Sequence, residues 1–234
     1  MKERPILFNS EMVRAILEGR KTQTRRILKT QPSESTKRIV PLYKCEPVPK
    51  VTEVSFHEVL ENGIPHCSAT SHCKCPFGKT GDRLWVRESF GTKIRNLGGT
   101  PHESSAYKAD NPNEINFYDC NGNGFPVKWT PSIHMPRSAC RLVLEIINIR
   151  VEPLFYITNQ EAISEGIEQI GTHSDGTPIF KYYGFKERSS GTTSGFGYPV
   201  NSFKSLWNSV YGSDSWIQNP WVWVVEFKVI QNGK

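Results

Sequence analysis

Lys21 stands two residues after the glycine that ends the first predicted helix. That helix is predicted from an N-cap at Ser10, an apolar stripe at helical spacing and a stop at Gly19. A lysine at this point has two interpretations. It is a solvated surface amine, or it lies partly buried at the mouth of a cleft, where desolvation lowers its pKa and lets it act as a base near neutral pH. The residues alone leave both interpretations open.

Guanidinium groups suited to phosphate occur in two short segments. Arg25 and Arg26 lie in an alternating stretch with β-branched residues, and Arg87 lies in a short strand predicted after Asp82. Guanidinium groups bind phosphate oxygens through paired donors. The first pair equally fits a basic, solvated strand end, and Arg87 equally fits an ion pair with Glu88 or with Asp82.

Four further side chains are candidates for contacts with a ligand. Trp85 shares one face of the strand alternation with Arg87, where it stacks on a base or packs in the core. Glu88 closes the same strand and is a second candidate acid. Ser132 and His134 lie between prolines, and such rigid loops often present groups to a ligand. A structural histidine is the alternative for His134.

Cysteine and histidine are concentrated in one part of the chain. Five of them fall within ten positions, with Cys45 upstream: His66, Cys67, His72, Cys73 and Cys75. Such density permits a tetrahedral zinc site, for which the candidate ligands are Cys67, His72, Cys73 and Cys75. The paired Cys-x-x-Cys sets of a zinc ribbon are missing, so free thiols are the alternative. No cofactor is expected for the chemistry itself.

Composition indicates a globular chain, and its charge balance bears on the partner. The sequence has 234 residues, 37% hydrophobic and 22% charged, with a net charge of +6. This length allows one sizeable core, so a single domain over residues 1–234 is expected. Positive charge favours nucleic acid as a partner, although only weakly. No signal peptide or membrane span is evident, so we expect a cytoplasmic protein without a membrane partner, whose six cysteines are thiols or metal ligands.

The remaining patterns predict an α+β fold. Helices are expected at Ser10–Gly19, Thr158–Glu165 and Asn201–Tyr211, and strands at Arg83–Glu88, Cys140–Val151 and Trp221–Ile230. The strand connections are too short for repeated βαβ units, so a small closed or nearly closed mixed barrel flanked by helices fits best. Polar stretches rich in glycine or proline predict long loop insertions at about 30–79, 91–129 and 171–199.

Three segments together carry a family resemblance. They are Gly19–Arg26 (GRKTQTRR), Gly81–Glu88 (GDRLWVRE), and Ile157–Ile167 (ITNQEAISEGI) combined with the closing strand Trp221–Phe227. In order and position they resemble the ASCH family, a branch of the PUA-like barrels. The lead-in Cys75–Gly78 (CPFG) and the segment Trp129–Arg137 (WTPSIHMPR) are similar to ASCH proteins encoded by phages and prophages. The resemblance implies a PUA-like mixed β-barrel, in a bacterial host cytoplasm if the chain is phage-encoded.

The resemblance also implies an activity. Compact ASCH proteins that remove the acetyl group from N(4)-acetylcytidine use a lysine, a threonine and a glutamate, which match Lys21, Thr24 and Glu165. Amide hydrolysis needs a nucleophile, a base and an acid for the leaving amine. Thr24 would supply the hydroxyl, neutral Lys21 would take its proton, and Glu165 would position Lys21 or shuttle the proton. The expected substrate is thus RNA or a modified nucleoside.

Three other functions stay open from the sequence. One is a non-catalytic module that binds RNA through a basic cleft. Another is an ASCH-type ribonuclease in which Lys21 assists phosphodiester cleavage. The last is an accessory structural factor of a phage. Because the insertions are long, transfer of an activity from compact relatives is less secure than transfer of the fold. The oligomeric state is not predicted.

Overall fold

Strands dominate the computed structural model, which describes residues 1–32, 36–44, 50–58, 71–97, 100–184 and 195–232. The strands in these ranges are β1 Glu3–Leu7, β2 Gln23–Ile27, β3 Thr36–Lys44, β4 Lys50–Glu58, β5 Ser71–Lys74, β6 Arg83–Arg87, β7 Phe90–Leu97, β8 Thr100–Tyr107, β9 Ile115–Tyr118, β10 Gly124–Pro126, β11 Leu142–Pro153, β12 Gln169–Thr172, β13 Pro178–Lys181, β14 Gly195–Phe196 and β15 Trp221–Asn232. The helices are α1 Ser10–Leu17, α2 Asn159–Ser164 and α3 Pro199–Tyr211, with 3-10 turns at Ser132–His134, Arg137–Ala139 and Leu154–Tyr156. The predicted α+β class is confirmed.

The chain forms two compact units, each assembled from separate segments. Unit 1 comprises Met1–Gly19, Arg83–Glu145 and the chain from Val229 onward, and unit 2 comprises Arg20–Asp82 and Ile146–Lys228. The expectation of one domain over the whole chain stays a prediction.

Unit 1 is built around β6. Strand β1 pairs with β6 in parallel, with Pro5 opposite Trp85, and the first residues of β11 pair with β6 in the antiparallel sense. Leu84 and Val86 are buried on one face of β6. The hairpins β7·β8 and β9·β10 belong to the same unit. Helix α1 buries Val13 and its neighbours on the apolar stripe.

Unit 2 contains the remainder of β11, then β15 and β2 as successive neighbours. Strand β15 is antiparallel to β2, with Val224 opposite Arg25, and residues Val222–Val225 are fully buried. Two further three-stranded sheets have the orders β3-β4-β5 and β12-β13-β14. Among the described residues, no pairing within either unit closes a barrel.

Two of the three predicted insertions contain far more regular structure than expected. The stretch from residue 30 was predicted to be a loop insertion, but it contains the nine-residue strands β3 and β4, which pair in the antiparallel sense with two register shifts. The second stretch, predicted as a loop region, forms the hairpins β7·β8 and β9·β10. Both predictions were wrong because a composition rich in polar residues, glycine and proline does not prevent the backbones of neighbouring segments from pairing as antiparallel strands. In the third stretch, the described residues include the end of β12 and the short strands β13 and β14.

The helix ends agree closely with the sequence patterns. Helix α1 begins at Ser10, but the N-cap is Asn9, whose side chain accepts from the Met12 amide at 2.8 Å. Gly19 follows the helix at φ 75°, a conformation that favours glycine. None of the described helices is long and apolar enough to cross a membrane.

Candidate functional site

The segment that carries Lys21 is fixed by backbone contacts on both sides. Lys21 forms an isolated antiparallel bridge with Glu165. The Thr22 amide donates to the Ser164 carbonyl at 2.9 Å, and the Phe227 amide donates to the Thr22 carbonyl at 2.8 Å. Lys21 therefore lies against the C-terminal end of α2, beside strand β15.

The Lys21 amine is buried and donates twice to one residue. Its Nζ donates to the Glu165 carbonyl at 2.8 Å and to the carboxylate Oε2 at 2.9 Å, and the two side chains are 1% and 4% exposed. Burial lowers the pKa of Lys21 by more than the Glu165 carboxylate raises it, and the charges of Arg26 and Arg25 add to the lowering. The amine therefore loses its proton at a lower pH than a surface lysine does.

Helix α2 presents Glu165 at its C-terminal end. The helix begins with a capping box, in which the Glu161 amide donates to Thr158 Oγ1 and the Thr158 amide donates to the Glu161 carboxylate. Gly166 follows the C-cap Glu165 and adopts φ 90°. Arg20 donates to the Gly166 carbonyl at 2.8 Å. A cation at this end offsets the negative pole of the helix.

Arg25 connects the same carboxylate to two others. Its Nη1 donates to Glu165 Oε1 at 3.2 Å, and its Nη2 lies 2.6 Å from Glu152 Oε1 and 3.3 Å from Glu161 Oε2. The Arg25 side chain is 0% exposed. Glu165 thus uses one oxygen for Lys21 and the other for Arg25, which fixes the orientation of its carboxylate. With these donors engaged, the predicted phosphate contact of Arg25 would require the network to open.

Arg150 on β11 completes a larger ion-pair network. Its Nε donates to Glu152 at 3.0 Å, and its other nitrogens contact Glu161 and Glu226. We define the unit 2 network as Lys21, Arg25, Arg150, Glu152, Glu161, Glu165 and Glu226. Four carboxylates face three cations here, which gives a net charge of −1 when Lys21 is protonated and −2 when it is neutral.

Thr24 lies on the opposite face of β2. Gln23 and Arg25 both contact the network, and Gln23 donates to a carbonyl of α2 at 2.9 Å. Because successive strand residues point to opposite faces, Thr24 and Arg26 lie on the other side, where Val225 is the partner of Thr24 in β15. The structure brings Lys21 and Glu165 together but does not place Thr24 on the face of Gln23 and Arg25. The nucleophilic role of Thr24 and the phosphate contact of Arg26 stay predictions.

In unit 1, Trp85 and Arg87 share one face of β6, as the alternation predicts. The guanidinium carbon of Arg87 lies 5.4 Å from the centroid of the Trp85 ring. Arg87 also donates to the carbonyl of Ile133 in the turn Ser132–His134. His134 is exposed in this turn, and Ser132 is partly buried. The strand and the proline-flanked segment thus meet at Arg87, while the ligand-binding roles of these residues stay predictions.

Glu88 belongs to a different cluster of unit 1. Arg141 donates to both of its carboxylate oxygens, at 2.9 and 3.0 Å, and to both oxygens of Asp110, at 2.7 and 2.8 Å. The Arg141 guanidinium also lies 4.0 Å from the Tyr107 ring centroid. Burial raises the pKa of Glu88, and the hydrogen bonds from Arg141 oppose that rise. With both oxygens engaged, Glu88 joins neighbouring elements, and its role as a candidate acid stays a prediction.

The zinc candidates are covered only in part. Cys67 lies outside the described residues, and His72 is described only by its backbone pairing in β5. Cys73 and Cys75 are both buried. The described ranges contain no group of three or more His, Cys, Asp or Glu side chains suited to a metal ion. A structural zinc in this stretch stays a prediction.

Sequence reasoning missed four members of the unit 2 network. Arg150, Glu152 and Glu226 lie on strands, and Glu161 lies on α2. The spacing of Arg150 and Glu152 places both on one face of β11, which is the signal that was available. Charged pairs at that spacing are common on solvated strands, so the pattern alone does not indicate a buried network.

No family model, curated protein or solved structure matches this chain. The resemblance to the ASCH family therefore depends on the motifs in the sequence. The contact between Lys21 and Glu165 is a structural observation that does not depend on that resemblance.

Proposed function

We propose that this chain is an ASCH-type, PUA-like protein that handles RNA or modified nucleosides, and that it hydrolyses N(4)-acetylcytidine or a related acylated nucleoside. The observation that carries the proposal is the contact between the buried Lys21 amine and Glu165. A lysine with a lowered pKa, held against an oriented carboxylate, combines a base with a group that positions it. The motifs that resemble the ASCH family supply the reaction class.

The proposed reaction adds one water across the amide bond. An oxygen nucleophile attacks the acetyl carbonyl, the bond between that carbon and N4 breaks, and cytidine and acetate are the products. Neutral Lys21 accepts the proton of the nucleophile and returns a proton to N4 as the amine leaves. Water is the simplest nucleophile because strand alternation sets Thr24 on the face opposite Arg25. If Thr24 attacks instead, an acetyl-threonine ester forms as cytidine leaves, and the one water then hydrolyses the ester to acetate and free Thr24.

Access to the amine sets a structural requirement. The Lys21 and Glu165 side chains are 1% and 4% exposed, so a substrate reaches Nζ only when the contact between them opens. Turnover therefore includes a step in which the end of α2 or the Lys21 side chain moves. Such conformational steps commonly limit the turnover of enzymes.

The direct test is incubation of the purified protein with N(4)-acetylcytidine, with cytidine release followed by chromatography. We expect Lys21→Met and Lys21→Arg to abolish release, because neither side chain is a neutral base at pH 7. Lys29→Met is the matched control, since Lys29 is an exposed lysine beyond β2. Thermal melting of each variant checks that the fold is retained.

The outcomes separate the roles. Equal release by wild type and Lys21→Met removes Lys21 from catalysis. No release by the wild type removes N(4)-acetylcytidine as the substrate, and other acylated nucleosides are then assayed in the same way. Full activity in Thr24→Val identifies water as the nucleophile. Loss of activity in Thr24→Val with rescue in Thr24→Ser identifies the hydroxyl.

A second candidate function is a non-catalytic module that binds RNA. The complete pairing of Lys21 and Glu165 inside the protein favours it, because a buried, satisfied ion pair is also a structural element. In that case Lys21→Met lowers the stability of unit 2, and the wild type binds RNA without releasing any product. RNA binding with strong salt dependence and no turnover would support this candidate.

A further inference from the structure

The face of β6 that carries Trp85 has an unusual set of side chains. Arg83, Trp85 and Arg87 alternate along the strand and share one face, while Leu84 and Val86 are buried on the other. Side chains two residues apart on a strand are about 6.6 Å apart. The face therefore presents an aromatic ring between two guanidinium groups.

Both arginines have donors that the protein does not use. The Nε of Arg83 and the Nε of Arg87 are buried atoms without a hydrogen-bond partner among the described residues. Within the described ranges, the guanidinium of Arg83 has an ion pair of 3.9 Å with Glu3, which is beyond hydrogen-bond distance. The Arg83 side chain is 41% exposed, so a phosphate can approach this guanidinium group from solvent.

The charges around this face are mixed, with an excess of cations. Arg137 lies close by, since its Nε donates to Glu3 at 3.1 Å. Glu3 thus contacts Arg83 and Arg137, while Glu145 is the cross-strand partner of Arg83. Three arginines face two glutamates, so the local charge is +1. Glu3 is the group that competes with an incoming phosphate for two of these arginines.

We propose that Arg83, Trp85 and Arg87 form a binding surface for single-stranded nucleic acid. Trp85 stacks on a base, and the two guanidinium groups contact phosphates on either side of it. Stacking on an aromatic ring with basic side chains along the backbone is how single strands are bound without sequence readout. A nucleic acid matches this face better than a peptide does, because guanidinium groups on both sides of an aromatic ring complement alternating phosphates and bases.

The inference deepens the proposed function and rests on it for the class of ligand. It specifies a polynucleotide in place of a free nucleoside. It assigns binding to unit 1, and the proposed chemistry involves Lys21 in unit 2. Binding and hydrolysis are therefore measured separately, and either can fail without the other.

The test is fluorescence anisotropy with a labelled 12-nucleotide oligouridylate and an oligodeoxythymidylate of the same length, at several salt concentrations. Loss of one stacked base costs about 1–3 kcal/mol, so Trp85→Ala should weaken binding by about 5- to 150-fold. Trp85→Phe keeps a stacking ring and should bind more tightly than Trp85→Ala. Arg83→Ala and Arg87→Ala should each weaken binding and reduce the salt slope by about 1.

Glu3→Gln provides a gain-of-affinity test that a misfolded variant does not mimic. It frees Arg83 and Arg137 from a carboxylate, so binding of either oligonucleotide should tighten. Arg14→Ala is the matched control, because Arg14 is an exposed arginine on α1 that contributes nothing to this face.

Each outcome decides the proposal. Weaker binding in the Trp85, Arg83 and Arg87 variants together with tighter binding in Glu3→Gln supports it, and a preference between the two oligonucleotides distinguishes RNA from DNA. It is overturned if neither oligonucleotide binds, if the variants bind like Arg14→Ala, or if an oligoglutamate peptide binds this face while the oligonucleotides do not. Cytidine release without oligonucleotide binding overturns this inference and leaves the proposed function intact. Oligonucleotide binding without cytidine release supports this inference and overturns the proposed hydrolysis.

Discussion

Arg25 is the side chain whose loss should most disturb unit 2. It contacts Glu152, Glu161 and Glu165 at 2.6 to 3.3 Å, with its side chain out of solvent. Removing one partner of a buried ion pair costs about 3–5 kcal/mol. Because Arg25→Leu leaves three carboxylates without this partner, we expect it to lower the free energy of unfolding by about 4–5 kcal/mol, near the upper end of that range. A chain of 234 residues loses about 2 °C per kcal/mol, so the melting temperature should fall by about 8–10 °C.

The assay for this prediction is urea unfolding followed by tryptophan fluorescence, supported by thermal melting. Arg25→Lys keeps the charge but loses the planar fork, so it should destabilise the protein by less. Arg14→Leu removes an exposed arginine and should leave the free energy of unfolding within about 0.5 kcal/mol of wild type. If Arg25→Leu behaves like Arg14→Leu, the network does not stabilise unit 2, and the reasoning from buried ion pairs is refuted.

Three further predictions concern protonation and capping. Because the folded pKa of Lys21 is lowered, the unfolded chain binds more protons than the folded chain between that pKa and 10.5, so the free energy of unfolding rises with pH in this window. Lys21→Met should abolish this rise in unfolding curves measured across the window. An unchanged rise in the variant would contradict the prediction. Because the folded pKa of Glu88 is raised, the free energy of unfolding falls as pH rises from 4.5 through that pKa. Glu88→Gln should flatten this fall and lower the free energy of unfolding by about 3 kcal/mol, since it removes one partner of a buried ion pair. A pH dependence equal to that of the wild type would count against the prediction. Thr158→Ala removes the cap of α2 and should cost about 1 kcal/mol, and no loss in thermal melting would mean that the cap contributes nothing.

The helix ends and the central strands were predictable because their signals are local. Thr158 and Glu161 have capping-box spacing, and glycines follow both α1 and α2 at positive φ. The apolar run of β15 was equally clear, since Val222–Val225 are all buried. In each case the residue types that set the backbone conformation lie within a few positions of one another.

The pairing of distant charges was not predictable from local patterns. Arg25 and Arg150 look like solvated strand residues in the sequence, and only the register of the strands brings them to the carboxylates of α2. The alternation of β2 was enough to predict which strand face carries Thr24. The position of Lys21 could not be predicted in the same way, because it is set by an isolated backbone bridge to Glu165. Strand β3 was missed although it contains Ile39, Val40 and Leu42, because Pro41 interrupts the run and a proline-rich stretch predicts a loop.

The pairing of β2 has a consequence for how the protein folds. Ile27 pairs with Val222, and β15 is the last of the described strands to leave the ribosome. Contacts between such distant segments carry a large loop-closure entropy and slow the folding of a chain. While the chain is still being made, the charged residues of β2 have no strand to pair with, so they stay hydrated. Their polar character then protects the nascent chain, because an apolar strand that stays unpaired during synthesis would favour aggregation.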